Sequence, residues 1–139
     1  MIVKDKERIS KNESRLIFVK ELKSIVSNST NIGLDLAKKI KGLEKETKLP
    51  IIANDKLHEI IEKNEFHSDA FGVGYALKNI GILFEPKLKF DFKAMCKKYS
   101  RDTYLFIEHK GEIDDKNLYF LTRYAGIKID LSDLNYTIL

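Results

Sequence analysis

A chain of 139 residues, 43% of them hydrophobic, suits one domain that buries a core of its own. Its single cysteine, Cys96, excludes an intramolecular disulfide and a cysteine-based zinc site, which fits a reducing cytoplasm, and no apolar run reaches the about 18 residues of a membrane span or forms a signal-peptide core. The formal net charge of +4 resides in the first third, where residues 1–50 hold 12 Lys/Arg against 7 Asp/Glu and the remainder 13 against 14; this excess reads either as a lysine-rich solvated surface or as a patch that attracts nucleic acid or an acidic protein.

The polar, charged stretch at about 1–13 reads as an arm. No repeat, proline-rich linker or Gly/Ser tract divides the rest of the chain, so 1–139 is read as a single α/β domain. Leu16, Ile17, Phe18 and Val19 form a short continuous apolar run, the pattern of a buried strand. A helix over 20–27 is expected next, and then 27–31, Ser-Asn-Ser-Thr-Asn, supplies a polar break with several helix-capping residues.

Leu36, Ile40 and Leu43 recur at three- and four-residue spacing and predict an amphipathic helix over about 33–47, ending before Pro50. Asn54 or Asp55 is placed to cap a second helix through residue 65, with Leu57, Ile60 and Ile61 facing inward. His58 and His67 lie near it without neighbours that complete a metal-ligand set. The Gly72-Val73-Gly74 pattern lacks the third glycine and following helix of a dinucleotide fingerprint and reads as a loop or the start of a strand.

Two apolar runs, 80–84 ending on Glu85 and 103–108 ending on Glu108, look like adjacent buried strands whose C-terminal ends would face a ligand. Between them Leu88, Phe92, Met95 or Cys96, and Tyr99 share one helical face, which predicts a short helix over 88–99 with Cys96 as a small core residue. Residues 109–116 read as a turn, and 117–121, 127–130 and 136–139 as short closing strands.

Two chemistries compete for the central segment. A P-loop nucleoside triphosphatase needs backbone N–H groups and a lysine from GxxxxGK[ST] to hold the phosphates that complete magnesium coordination. After Val19 this chain offers Lys20-Glu21-Leu22-Lys23-Ser24, which imitates only the end of that motif and lacks its glycines. The rival is a magnesium-dependent nuclease of PD-(D/E)xK type, with Glu108 and Lys110 as the E-x-K element and Glu85 or Asp91 as the second carboxylate. That reading requires residues 90–96 to be a strand in a hairpin with 103–110, whereas the spacing of Phe92, Met95 and Tyr99 favours a helix.

Asn79-Ile80-Gly81-Ile82-Leu83-Phe84-Glu85-Pro86, followed by Leu88-Lys89, Asp91, Ser100-Arg101 and Gly111-Glu112, resembles the "DNIEILFDP-x-LK-x-DP … SRN … W-x-GE" pattern of the small P-loop (BrxF-like) protein family of type 3 bacteriophage-exclusion (BREX) systems. The resemblance spans residues 75–139 and extends upstream to 31–37, Asn-Ile-Gly-Leu-Asp-Leu-Ala. It implies a mostly parallel sheet flanked by helices, a P-loop-NTPase-like core of ASCE type, and a role beside other proteins in defence against phage. It also implies that Glu85 occupies the acidic Walker-B-like position and that Ser100 and Arg101 belong to the SRN element. Lys78 stands where the family has its first acidic residue and His109 where it has Trp, and the segment from Val19 to Asn31 is too short for a phosphate loop with its helix. The expectation is therefore a degenerate member without a Walker A loop, a non-catalytic adaptor that needs no cofactor, since magnesium belongs only to the nuclease alternative. Its expected partner is a larger protein subunit of a defence system, with nucleic acid reached through the basic first third, no membrane attachment, and self-association left open.

Overall fold

The computed structural model describes residues 14–114, 116–121 and 126–139, so the arm expected at 1–13 lies outside the described residues. β1 (Leu16–Val19) is buried at every position, as an unbroken apolar run predicts for an interior parallel strand. The helix expected at 20–27 does not form. A single 3-10 turn, Leu22–Ser24, takes its place, because Leu22, Ile25 and the half-buried Val26 are the residues of the segment that pack on the core and the polar 27–29 stretch ends it before its length can offset helix nucleation.

β2 (Thr30–Asn31) leads into α1 (Ile32–Ile40), capped by the Asn31 side chain, which accepts a hydrogen bond from the Leu34 N–H. This helix stops well before residue 47, at Lys41 and the positive-φ Gly42. α2 (Leu49–Lys63) begins earlier than Asn54, because Pro50 occupies its first turn, where a missing N–H and fixed φ do no harm. β3 (Phe66–Ser68) folds back antiparallel on β4 (Gly72–Lys78), and the GxG lies inside that strand. A side chain at Gly74 would meet the Phe66 ring and the Tyr104 carbonyl, each at 2.7 Å.

Residues 80–84 are not a strand. β4 ends at Lys78, Asn79 turns the chain through the left-handed region at φ 55°, and Ile80–Phe84 coils into a 3-10 helix that buries Ile80 and Leu83, three residues apart on one side. A second 3-10 turn, Pro86–Leu88, precedes α3 (Phe92–Ser100), so the helix begins four residues later than expected, at its Asp91 cap. β5 (Tyr104–Glu108), β6 (Asn117–Leu121), β7 (Gly126–Asp130) and β8 (Tyr136–Ile138) follow the expected order.

The main sheet runs β2-β4-β5-β1-β8 with every pair along that path parallel, and β3 adds the one antiparallel pairing. β6 and β7 form a separate antiparallel ribbon. This is an α/β architecture with a mostly parallel sheet flanked by helices. Alternate strand residues divide between two cores. Leu16, Phe18, Leu77, Leu105 and Ile107 join the buried residues of α1, α2 and α3. Ile17, Val19, Ala76 and Phe106 face the other way, where Leu22, Ile25 and Phe71 complete a smaller core to which no α-helix among the described residues contributes. The helices thus share one face, and the absent helix after β1 leaves the other to a 3-10 turn and a hairpin.

Candidate functional site

Parallel strands bring their C-terminal ends to one edge, and open α/β sheets bind ligands in the crevice outside that edge. Here β1, β5, β4 and β2 deliver Val19, Glu108, Lys78 and Asn31 to it. In a P-loop site the N–H groups just after β1 would hold phosphate. In this chain the Leu22 N–H instead donates to Glu108 Oε2 at 3.0 Å, so a resident carboxylate occupies the donor. Lys110 Nζ stands 3.9 Å from the other Glu108 oxygen and is exposed.

The adjoining part of the edge is closed in the same manner. Asn79 Nδ2 donates to Asn31 Oδ1 at 2.8 Å, that same oxygen accepts from Leu34 N, and the Gly33 N–H donates to the Asn79 carbonyl at 2.9 Å. The N-terminus of α1 therefore commits its first donors to the protein's own side chain and backbone. A side chain at Gly33 would overlap the Asn79 amide, so glycine is what permits this close approach.

His109 seals the exit of β1. Its N–H donates to the Val19 carbonyl at 2.9 Å, and its ring meets Phe18 edge-on with centroids 6.2 Å apart. Nδ1 donates to the Gly111 carbonyl at 2.8 Å, which leaves Nε2 buried without a partner among the described residues. With 2% of the residue exposed, burial pushes its pKa below the ordinary 6.5, outweighing the hydrogen bond to Gly111 and the nearby Glu112 and Glu108. His58, hydrogen-bonded to the Tyr99 hydroxyl, is lowered first by burial and then by Lys98. An unfolded histidine binds protons more readily than either of these, so their contribution to stability is complete above pH 6.5 and declines as the pH falls through the lowered values. Urea midpoints are accordingly expected to drop from pH 7.5 to pH 5.5, and less steeply in a His109→Gln variant; identical slopes in the two proteins would contradict this.

The remaining residues singled out in the sequence do not assemble at this edge. Glu85 lies between two 3-10 turns, not at the end of a strand, and its carbonyl accepts from the Leu88 N–H. The strand that precedes it, β4, ends at Lys78, and neither Lys78 nor Asn79 carries a carboxylate. Asp91 caps α3 by accepting from the Ala94 N–H at 3.0 Å and lines a cavity of about 220 Å³ with Asn54, His58 and Lys98. The hairpin that the nuclease reading requires is absent, because 92–100 is helical. Among the described residues no three His, Cys, Asp or Glu side chains come together as a metal-ligand set.

Ser100 and Arg101 end α3 just before β5 begins and therefore lie at the N-terminal edge of the sheet, opposite the ligand edge. The Ser100 hydroxyl donates to the Cys96 carbonyl at 2.6 Å, and the Arg101 carbonyl accepts from Arg15 Nη1 at 3.4 Å. Cys96 is fully buried, and burial raises its thiol pKa, which removes it as a nucleophile. His67 is exposed and stands 3.4 Å from Glu65, apart from His58.

Sequence reasoning misses the Asn31–Asn79 bridge, although an asparagine directly before an apolar run is the residue that tolerates left-handed backbone. The Leu22–Glu108 bond pairs residues 86 positions apart and has no local signature. Among the described residues no helix is long and apolar enough to cross a membrane. Comparison with protein-family models, with curated proteins and with solved structures gives no match to this chain.

Proposed function

We propose that the chain is a non-catalytic accessory or adaptor subunit of a prokaryotic phage-defence assembly, built on a P-loop-NTPase-like core of ASCE type that has lost its phosphate loop. The observation that carries this reading is the Glu108 carboxylate on the Leu22 N–H, beside a single 3-10 turn where a phosphate loop and its helix would lie. An acidic group in the anion position repels a triphosphate and makes the loop self-sufficient. The strand order supports the same ancestry, because β1 lies inside the sheet between β5 and β8 and the chain travels out to β2 and β4 before returning to β5. The motif resemblance over 75–139 supplies the defence context.

A chain with this edge acts by docking against a larger subunit. Coexpression with the products of its neighbouring genes, followed by size-exclusion chromatography, is expected to yield a stoichiometric complex with one of them. Elution of the chain free of all of them would overturn the adaptor reading.

A further inference from the structure

We propose that the N-terminal edge of the sheet carries a binding groove for the phosphate backbone of nucleic acid, formed by Arg15, Lys97 and Arg101. These three side chains line one cavity of about 350 Å³ together with Ser100, Asp133 and Asn135. They come from two distant parts of the chain, the residue before β1 and the last turn of α3, and the bond from Arg15 Nη1 to the Arg101 carbonyl joins the two. All three residues are exposed, and among the described residues none forms an ion pair with a carboxylate.

The arrangement has a direction. Lys93 and Lys97 on α3 and Arg101, which caps it in helical backbone conformation, succeed one another at four-residue intervals, so they share a face and rise about 6 Å from each to the next, a row suited to a linear polyanion. Lys93 is already neutralised, because its ammonium lies 3.0 Å from Asp130 and 3.4 Å from Asp133. Those contacts also engage Asp133, among the described residues the one carboxylate lining the groove; Lys93 with Asp130 and Asp133 sums to one negative charge, against three positive charges on Lys97, Arg101 and Arg15, so the groove stays net positive. Cations at the C-terminal end of α3 also suit its dipole, but that effect does not require Arg15, which lies on another element.

The groove favours phosphate over an acidic protein. Protein interfaces take most of their affinity from buried aromatic or aliphatic anchors, and the lining here offers none that is accessible: Leu16 is 1% exposed and Leu134 packs against the main core. Phosphate-backbone binding needs only charge and hydrogen-bond donors, which the guanidinium and ammonium groups supply. The groove lies at the opposite edge from the one closed by Glu108 and Asn79, so it is independent of whether the chain has lost nucleotide binding.

The test is fluorescence anisotropy of a labelled single-stranded oligonucleotide and of its duplex, titrated with the full chain across a salt series. The wild-type chain is expected to bind at least one of them with affinity that falls linearly on a log–log salt plot. A Lys97→Gln/Arg101→Gln variant is expected to lose about tenfold or more in affinity and to show a salt slope shallower by about 0.7 to 0.9 per contact removed. Arg15→Gln should weaken binding likewise, and because Lys97 and Arg101 are exposed, their double variant remains informative even if Arg15→Gln destabilises the fold. Lys38→Gln/Lys39→Gln on α1 removes the same charge elsewhere and should leave affinity nearly unchanged. An equal loss in both double variants, equal competition by polyglutamate, or no binding to either oligonucleotide would overturn the proposal.

Discussion

Truncating Phe106 to alanine is expected to lower the unfolding free energy by about 3–5 kcal/mol, enough to leave a domain of ordinary stability close to its unfolding threshold. Phe106 is fully buried at the centre of β5, with β4 on one side and β1 on the other. Its ring is the hub of the smaller core, 5.1 Å from Phe71 and 5.9 Å from Phe66 between centroids. A helix over this face could shift to fill part of the void. Among the described residues the face has no α-helix, so the hairpin carrying Phe66 and Phe71 loses its main contact and the cavity term applies nearly in full. Chemical denaturation of the variant checks this, and a loss below about 1 kcal/mol would show that this core collapses around the deletion.

Replacing Glu108 by alanine is the second large effect, about 2–3 kcal/mol, and it bears on function as well as stability. The side chain is 16% exposed and accepts the Leu22 N–H at 3.0 Å, so removing it leaves a donor beside the exit of β1 without its charged partner. Glu108→Gln keeps an acceptor of the same shape and should lose roughly half as much. If Glu108 were instead a magnesium ligand of a nuclease site, the alanine variant would gain thermal stability on losing a repulsive carboxylate and would lose DNA cleavage. A destabilised variant with no cleavage to lose is the expected result.

The parts of the fold that can be read from the sequence are those with strong local periodicity or unbroken apolar runs. β1 and the three closing strands fall where the residues place them, and Leu36 and Ile40 mark the buried face of α1. Residues 80–84 depart from that pattern, because a short apolar run with no alternation fits a buried strand and a buried 3-10 helix equally well. What decides between them is Asn79, whose left-handed conformation ends β4 one residue earlier. Moving the strand end from Glu85 to Lys78 also changes the site, since the carboxylate expected at the ligand edge is no longer there.

The site is legible in the sequence as an absence and illegible as a structure. The missing glycines after Val19 signal that no phosphate loop succeeds β1. That Glu108 accepts the Leu22 N–H after β1, and that Asn79 and Asn31 close the rest of the edge, depends on contacts across 86 and 48 positions of sequence. Arg101 illustrates the same limit: its place just after α3 puts it on the far side of the sheet, next to Arg15, which no local pattern announces.

Calorimetric titration of the purified chain with magnesium and ATP, paired with a phosphate-release assay, tests most directly whether this edge is closed. A ligand edge occupied by Glu108, Asn31 and Asn79 predicts neither a saturable heat nor release above the buffer rate. Saturable, magnesium-dependent binding with turnover would contradict it.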